Sequence, residues 1–526
     1  MKGSPHSASG DVIIGVDAGT SVIKAVAFDL EGRQLDAAAI PNRYHTGQGG
    51  AVTQSLEQTY LDCAQALRNL GSKIPNLATR TIALAVTGQG DGTWLVGKDN
   101  KPVGDAWLWL DARAAPTVER LAASSANRAR FELTGTGLNT CQQGTQLAHM
   151  LATAPDLLAR AEVALHCKDW LFLNLTGTRA TDPSEASFTF GDFRTRQYND
   201  DVLEALGLSK QRHLLPPIVE GSETTFPLTA DAAKATGLRP GIPVTLAYVD
   251  MAMTAFGAGV YTGDKDAACS VIGSTGVHMR AVKAHDVFLN DEGTGYVIPL
   301  PSPGIVTQVQ TNMAATLNLD WVLRLGQQVL QDFGQEESHG AMVAKIDGWL
   351  ARTKPGALLY HPYISEAGER GPFVDAAARA QFTGLSSTHS YADLVRAVIE
   401  GLGLAMRDCY AMMGDMPKEL RITGGAARSA ALRQVLSAAV NAPVRVSARE
   451  EAGAAGAAIM AAVAVKAYPN VETCIAKWVT PLLGAPEAPD AEAADIYRQR
   501  FEVYRKTRVS MLPIWKDLAA LPHEKS

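Results

Sequence analysis

The hydrophobic pattern of this chain is a succession of short apolar runs, each ending in a turn built from glycine and small polar residues. Val12-Ile-Ile-Gly-Val16 is a continuous apolar run that predicts a buried strand. It stops at Asp17-Ala-Gly-Thr-Ser21, where small residues allow a tight turn, and Val22–Leu30 alternates as a second strand should. Glu31-Gly32-Arg33 then predicts a hairpin. Thr53–Leu70 has helical spacing and Thr81–Val86 returns to a buried strand, so a βα alternation has begun. Thr93–Val96 and Ala106–Arg113 read as strands, and Phe131–Ala161 and Lys168–Leu175 as helical, with loops at Gly135, Gly137 and Gly144. Asp182–Pro217 shows no period and reads as irregular. Pro243–Val249 is a clean strand that runs directly into a helix, with Asp250 as its cap.

After residue 260 the opening pattern recurs. Cys269–Ile272 predicts a strand, Gly273-Ser-Thr-Gly276 a small turn and Val277–Val282 a second strand. Tyr391–Met413 is strongly helical, and Gly401 and Gly403 within it permit close helix packing. Glu419–Thr423 is a strand, Gly424-Gly-Ala-Ala-Arg-Ser429 a glycine turn and Ala430–Val440 a helix; Val444–Val446 and an Ala-rich helix opened by Glu450-Glu-Ala-Gly453 follow. The rest of the chain looks helical and then polar. Two strand-turn-strand units, each opening about half of the chain, predict two similar domains, 11–260 and 261–526. At 526 residues, two cores are also what size alone leads one to expect.

Composition narrows the class of protein. A hydrophobic content of 46% and a charged content of 19% are those of a globular chain. A net charge of -6 argues against a nucleic-acid surface and for small-molecule partners. The six cysteines contain no CxxC pair, so they read as reduced core thiols and not as a zinc site or disulfide framework. Met1–Gly10 has no apolar core and reads as a frayed tail; the Ala-rich run 452–465 is shorter than the ~20 residues that span a bilayer. A cytoplasmic protein with no membrane partner is expected.

The candidate chemistry sits at the turns. A carboxylate (Asp17), a Gly-Thr-Ser turn (Thr20, Ser21) and a cation (Lys24) within eight residues suit magnesium, phosphate oxygens and phosphate charge. Gln89 and Asp91 project from the glycine-rich turn 87–92, where bare backbone lets polar groups crowd a ligand. Trp107 and Trp109 offer flat apolar faces to a polyhydroxylated ligand, beside Asp111 and Arg113; one indole is expected in the core, and Arg113 is expected to pair with a carboxylate. The positive end of the helix after Asp250 is expected to keep that carboxylate ionised. The 424–429 turn feeds a helix start and suits a flat base with its ribose. Gly92 to Lys98 has P-loop spacing, but Asp99 stands where the loop needs Ser or Thr, and no complete G-x-G-x-x-G occurs.

With these residues assembled, the chain resembles the FGGY carbohydrate kinases across roughly 11–466. The pieces that carry the likeness are Asp17-Ala-Gly-Thr-Ser-Val-Ile-Lys24, Gly88–Gly92, Trp109–Arg113, Lys168–Leu171, the Asp250 helix start, Gly273–Gly276, Gly368-Glu-Arg-Gly-Pro372 and Gly424–Ser429. The resemblance implies an α/β fold of two ribonuclease-H-like, actin-like ATPase domains facing a central cleft, with ATP and Mg²⁺. It implies that Asp250 is the general base, that Asp17 helps to hold Mg²⁺ together with Asp250, and that Thr20, Ser21 and Lys24 form the first phosphate loop. Gly273, Ser274 and Thr275 match the second such loop, and Gly424, Gly425 and Ser429 the adenosine site. Gln89, Asp91, Trp109, Asp111 and Asp250 fall where the family holds its sugar or polyol. The Gly-Gln-Gly-Asp-Gly turn lacks the Arg-Glu and Met-His pairs of the glycerol- and xylulose-specific members and resembles bacterial erythritol-phosphorylating ones. A short polyol is therefore the expected acceptor, with a ketopentose (D- or L-xylulose) as the alternative and an actin-like or chaperone-like ATPase as the reading outside the kinases. A homodimer is compatible with all of these.

Overall fold

The computed structural model describes residues 10–262 and 267–521. The N-terminal tail to residue 9, the last five residues and the stretch 263–266 beside the expected domain boundary lie outside the described residues.

In the N-terminal half the elements that place the site are β1 (Val12–Ala18), β2 (Val22–Asp29), β3 (Gln34–Pro41), α1 (Leu56–Lys73), β4 (Thr81–Gly88), α2 (Cys167–Thr176), α3 (Pro183–Phe190), β5 (Phe226–Pro227), β6 (Pro243–Leu246) and α4 (Asp250–Gly257). The C-terminal half supplies β7 (Ala267–Ile272), β8 (Gly276–Lys283), β9 (Tyr296–Pro299), β10 (Ile305–Asn312), α5 (Tyr391–Ala411), β11 (Glu419–Thr423), α6 (Ala430–Val440), β12 (Val444–Val446), α7 (Ala452–Ala464) and α8 (Ala491–Ala520). Each half is built on a six-stranded sheet, ordered β5-β6-β4-β1-β2-β3 in the first and β9-β10-β8-β7-β11-β12 in the second.

The two sheets repeat one another in sense as well as order. β1–β2 and β2–β3 are antiparallel while β1–β4 and β4–β6 are parallel. β7–β8 and β8–β10 are likewise antiparallel, and β7–β11 and β11–β12 parallel. Removing the extra edge strands β5 and β9 leaves the same five-stranded plan twice, which is the α/β duplication expected from the recurring strand-turn-strand pattern.

β1 is apolar throughout because both of its faces are covered. Val12, Ile14 and Val16 point into a core shared with α1 and α2, while Ile13 faces a second core that contains α4, α7 and residues of both sheets. The Ala-rich helix α7, though late in sequence, thus packs on the first sheet. Its backbone comes so near that a Cβ at Gly15 would lie inside the carbonyl of Ala454. α4 and α7 cross equally closely: a Cβ at Gly257 would overlap the carbonyl of Ala452, and one at Gly456 that of Met253. Gly401 and Gly403 of α5 do the same work in the second half, against Tyr360 and Ala439.

Several local expectations are corrected. The strand expected over 106–113 is only Ala106–Trp107 before the chain turns. Gly144 lies inside a helix, Gln143–Thr153, and not in a loop. The stretch 182–217 is ordered: α3, a short hairpin of Gly191–Asp192 with Gln197–Tyr198, and a helix over Asp200–Leu206. Asp182 caps α3 by accepting from Ser184 N–H at 2.8 Å, with Pro183 at the first helical position, a start signal that polar composition masks.

Filling the α4–α7 crossing tests its importance. Gly456→Ala forces a methyl group against the Met253 carbonyl and is expected to lower stability by roughly 1–3 kcal/mol, read as a fall in the thermal unfolding midpoint. An unchanged midpoint would show that the helices can part without cost.

Candidate active site

A cavity of ≈ 200 Å³ opens between the two halves at the ends of β1, β4 and β8. The first half contributes Thr20, Gln89, Asp91, Trp109, Cys141 and Asp250 to its walls. The second half contributes Thr275 and Val277, then Tyr296, Asn312, Met313 and Arg370. Polyol contacts were expected from the first half alone; the wall is in fact shared.

The acidic centre follows directly from the helix crossing. Asp17 is the next-to-last residue of β1, Asp250 is the first residue of α4, and Gly453 at the start of α7 sits so close that a Cβ there would be 2.5 Å from Asp17 Oδ2. Burial pushes the Asp17 carboxyl up to about 6, with Lys24 pulling it down and Glu451 pushing it up. Burial likewise pushes Asp250 up to about 8, the charge of Asp17 adding to it, although the Met251 N–H donates to Oδ1 at 2.7 Å. The helix terminus therefore does not keep Asp250 ionised as expected. A helix N-terminus contributes about 0.3–2 kcal/mol, less than removing water and adding a neighbouring carboxylate cost. Lys24 pairs with Glu451 at 2.8 Å, so its charge is committed to a side chain of the other half and not left free.

The side of the cavity around Thr20, Gln89 and Trp109 is held by side chains that hydrogen-bond to one another. Thr20 accepts from the Trp109 indole at 2.8 Å and donates to Gln89 Oε1 at 3.2 Å, and Gln89 Nε2 donates to Gln54 at 3.0 Å. Trp109 lines the cavity, whereas Trp107 is buried in the core with the Arg113 guanidinium 3.4 Å above its ring. Asp111 does not line the cavity as expected: fully buried, it accepts from the Arg113 guanidinium at 2.6 Å and the Val52 N–H at 2.8 Å on Oδ2, and from the Arg113 backbone N–H at 3.0 Å on Oδ1, so both its oxygens hold the wall together. Asp91 differs from all of these. It is buried in the left-handed backbone region at φ 58°, and its Oδ1 has no hydrogen-bond partner. Such a backbone position is uncommon outside glycine, and an orphaned buried carboxylate oxygen suits a ligand hydroxyl.

Beneath Gly90 and Asp91 lies a group of fully buried charges. Lys168 contacts Asp169 at 2.7 Å and also Asp182, His166 sits 3.1 Å from Asp169, and Glu185 of α3 lies 3.4 Å from His166. A Cβ at Gly90 would overlap Val249 Cγ2 and lie 3.0 Å from Glu185 Oε1, so the turn packs on Val249 and beside this carboxyl, which burial pushes well above its usual range. Of the two glycine turns of the second half, 273–276 reaches the cavity through Thr275 and Gly276, and 424–429 lies outside its wall. Ser274 is exposed; its carbonyl and that of Gly273 accept from Ala315 and Thr316. Gly424 packs on Ile272, which brings the 424–429 turn beside the 273–275 turn, and Ser429 caps α6 by accepting from Leu432 N–H at 3.2 Å. Ser21 is exposed at the first turn.

Sequence reasoning missed Cys141, Tyr296 and Arg370. Cys141 reads as one more core thiol, and all six cysteines are indeed buried and free. Tyr296 belongs to an edge strand with no motif. Arg370 lies in the Gly368–Pro372 segment quoted for its pattern, and it reaches Thr140 of the first half at 3.3 Å.

The carboxylate pair has a consequence for stability. In the folded chain Asp250 keeps its proton up to about pH 8, against a reference value of 3.8. The stabilisation tied to that proton is present at acid pH and is lost as pH rises through about 8. Asp250→Asn has no such proton to lose. In metal-free, nucleotide-free buffer its stability is expected to exceed that of the parent at pH 8 by on the order of a few kcal/mol, with the margin closing near pH 4. Chemical denaturation across that range reads it; parallel pH profiles would refute the buried pair.

Comparison with known proteins agrees with this geometry. Residues 12–257 match the model of the FGGY family of carbohydrate kinases, N-terminal domain, and residues 268–465 that of the C-terminal domain. The chain is 68% identical over 511 residues to the erythritol kinase of Brucella abortus (strain 2308), covering 97% of this chain and 98% of that protein. It is 27% identical over 520 residues to a xylulose kinase of Staphylococcus epidermidis, covering 97% and 99%. The crystal structure of a gluconate kinase from Lactobacillus acidophilus superposes with a TM-score of 0.87 at 19% identity, covering 97% of this chain and 100% of that one, and shares the fold. Matches to both domain models, over 12–257 and 268–465, and 68% identity along almost the whole length of a relative place the chain in the FGGY family of carbohydrate kinases.

Proposed function

We propose that this kinase transfers the γ-phosphoryl group of ATP to a terminal primary hydroxyl of a short polyol, with erythritol as the preferred acceptor. The observation that carries the substrate is the near-full-length likeness to the Brucella abortus erythritol kinase. The cavity supports it: Asp91 offers an unpaired acceptor, Trp109 an apolar face, and Asp250 a carboxyl on the same wall.

In this reading Asp250 accepts the proton of the attacking hydroxyl as the new O–P bond forms and ADP departs. Phosphoryl transfer passes through a loose transition state, so most of the catalysis is positioning and charge neutralisation. Gly273, Ser274 and Thr275, with Thr20 and Ser21, present the turns that hold the phosphates from either side, and Gly424, Gly425 and Ser429 take the adenosine. Lys24 acts through its pair with Glu451, fixing the start of α7 against Asp17. Mg²⁺ would be held by Asp17 and Asp250, directly or through water, and would neutralise the phosphate charge. The donor set fits: the half-buried Asp250 carboxyl feels the charge of the half-buried Asp17, and a cation would relieve it. Mg²⁺ bound with substrate phosphates needs only one or two carboxylates. The division into units of 11–260 and 261–526 assigns most polyol contacts to the first and the adenosine site to the second.

Two measurements test this. Asp250→Asn is expected to bind ATP nearly as the parent does, by calorimetry, while turnover falls roughly 10²–10⁴-fold; parental turnover would remove Asp250 from the reaction. In an ADP-release assay over glycerol, erythritol, ribitol, xylitol, D-xylulose and L-xylulose, erythritol is expected to give the highest kcat/KM. A preference for either xylulose would instead make the chain a ketopentose kinase.

A further inference from the structure

We propose that Tyr296, supplied by the second half, sets the length of polyol that the cavity accepts, by filling the corner it forms with Asp91 and Cys141. The inference rests on the short-polyol reading of the site and names the residue that makes the polyol short.

Tyr296 opens β9, the edge strand that the second sheet carries beyond the shared five-stranded plan. Its side chain leaves its own half and enters the cavity wall, where the hydroxyl lies 3.4 Å from Asp91 Oδ2 and 3.4 Å from Cys141 Sγ. That contact occupies Oδ2 of Asp91 and leaves Oδ1 without a hydrogen-bond partner among the described residues. Tyr296 therefore fixes where the cavity ends beside Asp91.

The ring cannot withdraw. Phe188 of α3 meets it edge-on, with centroids 5.7 Å apart and planes at 85°. The backbone is pinned on both sides to the 136–137 loop of the first half: Gly137 N–H donates to the Gly295 carbonyl at 2.9 Å, and Val297 N–H to the Thr136 hydroxyl at 3.3 Å. Gly295 has φ 87°, and a Cβ there would be 2.5 Å from the Val309 carbonyl, so this approach admits only glycine. A phenol held in this way is a rigid stop.

A rigid stop discriminates by length. One more CHOH unit needs roughly the space of a water molecule, about 30 Å³, a sizeable share of a ≈ 200 Å³ cavity that must also admit the phosphoryl group. Space of methylene size in a pocket alters relative kcat/KM by about 10–200-fold, and deleting the phenol frees more than that.

The test compares kcat/KM for ribitol and xylitol with that for erythritol in the parent, Tyr296→Ala and Tyr296→Phe, with thermal unfolding as a check on folding. In Tyr296→Ala the pentitol-to-tetritol ratio is expected to rise at least about tenfold. Tyr296→Phe, which shortens the stop by the hydroxyl alone, is expected to move the ratio the same way by a smaller factor. Equal losses on all three polyols would mean that Tyr296 only supports the fold, and the inference falls. Should Tyr296→Ala fail to fold, the Phe variant decides: an unchanged ratio overturns the proposal. A parent enzyme inactive on every polyol sinks the short-polyol reading itself, whereas a parent active on erythritol with unshifted variants sinks only the role of Tyr296.

Discussion

The contact on which this structure depends is the crossing of two helix backbones, α4 and α7, with glycine in place of side chains. Gly257 and Gly456 bring carbonyl and Cα to bare contact, and Gly15 lets α7 lie equally close on β1. Three chain ends are drawn together as a result. β1 delivers Asp17, α4 delivers Asp250, and the start of α7 delivers Gly453 against Asp17 and Glu451 against Lys24. The two halves are joined where the acidic centre forms, so the packing that excludes water from the joint also desolvates the carboxylates.

That desolvation decides the electrostatics. Lys24, paired with Glu451, opposes the rise at Asp17, while Asp250 feels the charges of Asp17 and Asp91 with Lys168 opposing them. Desolvation dominates at both carboxyls, the rise is larger at Asp250, and the favourable end of α4 is too weak to offset it.

The elements legible in the sequence were those whose pattern is local. Apolar runs ending in glycine turns gave β1, β4 and β7, and the recurrence of strand-turn-strand gave the duplicated sheets that the strand order bears out. The carboxylates at strand and helix ends, Asp17 and Asp250, were visible because a strand running into a turn exposes its next residue. What remained hidden depends on distant partners. α3 reads as irregular since Asp182 and Glu185 are polar, yet both are fully buried in a charge network with Lys168, Asp169 and His166, which no periodicity reveals. Asp111 looked like a ligand carboxylate until Arg113 and the Val52 N–H were seen to occupy it. Lys24 looked like a phosphate cation, and its partner Glu451 lies 427 residues away. Tyr296 and Arg370 reach the cavity from the other half and leave no mark in the sequence around Asp91.

The buried charges under the Gln89–Asp91 turn show why so costly a floor is retained. Buried ion pairs are often no more stabilising than apolar residues of similar size, so Lys168, Asp169 and Asp182 are not explained by stability alone. The turn above them needs a fixed foundation, because Asp91 occupies left-handed backbone space and holds an unpaired carboxylate oxygen within the wall. Gly90 packs on Val249 and lies beside Glu185, and Tyr296 contacts Asp91 from the opposite half. Asp91 is thus located from below by Val249 and Glu185 of its own half and from the side by a ring of the other, so both halves define the position of its carboxylate.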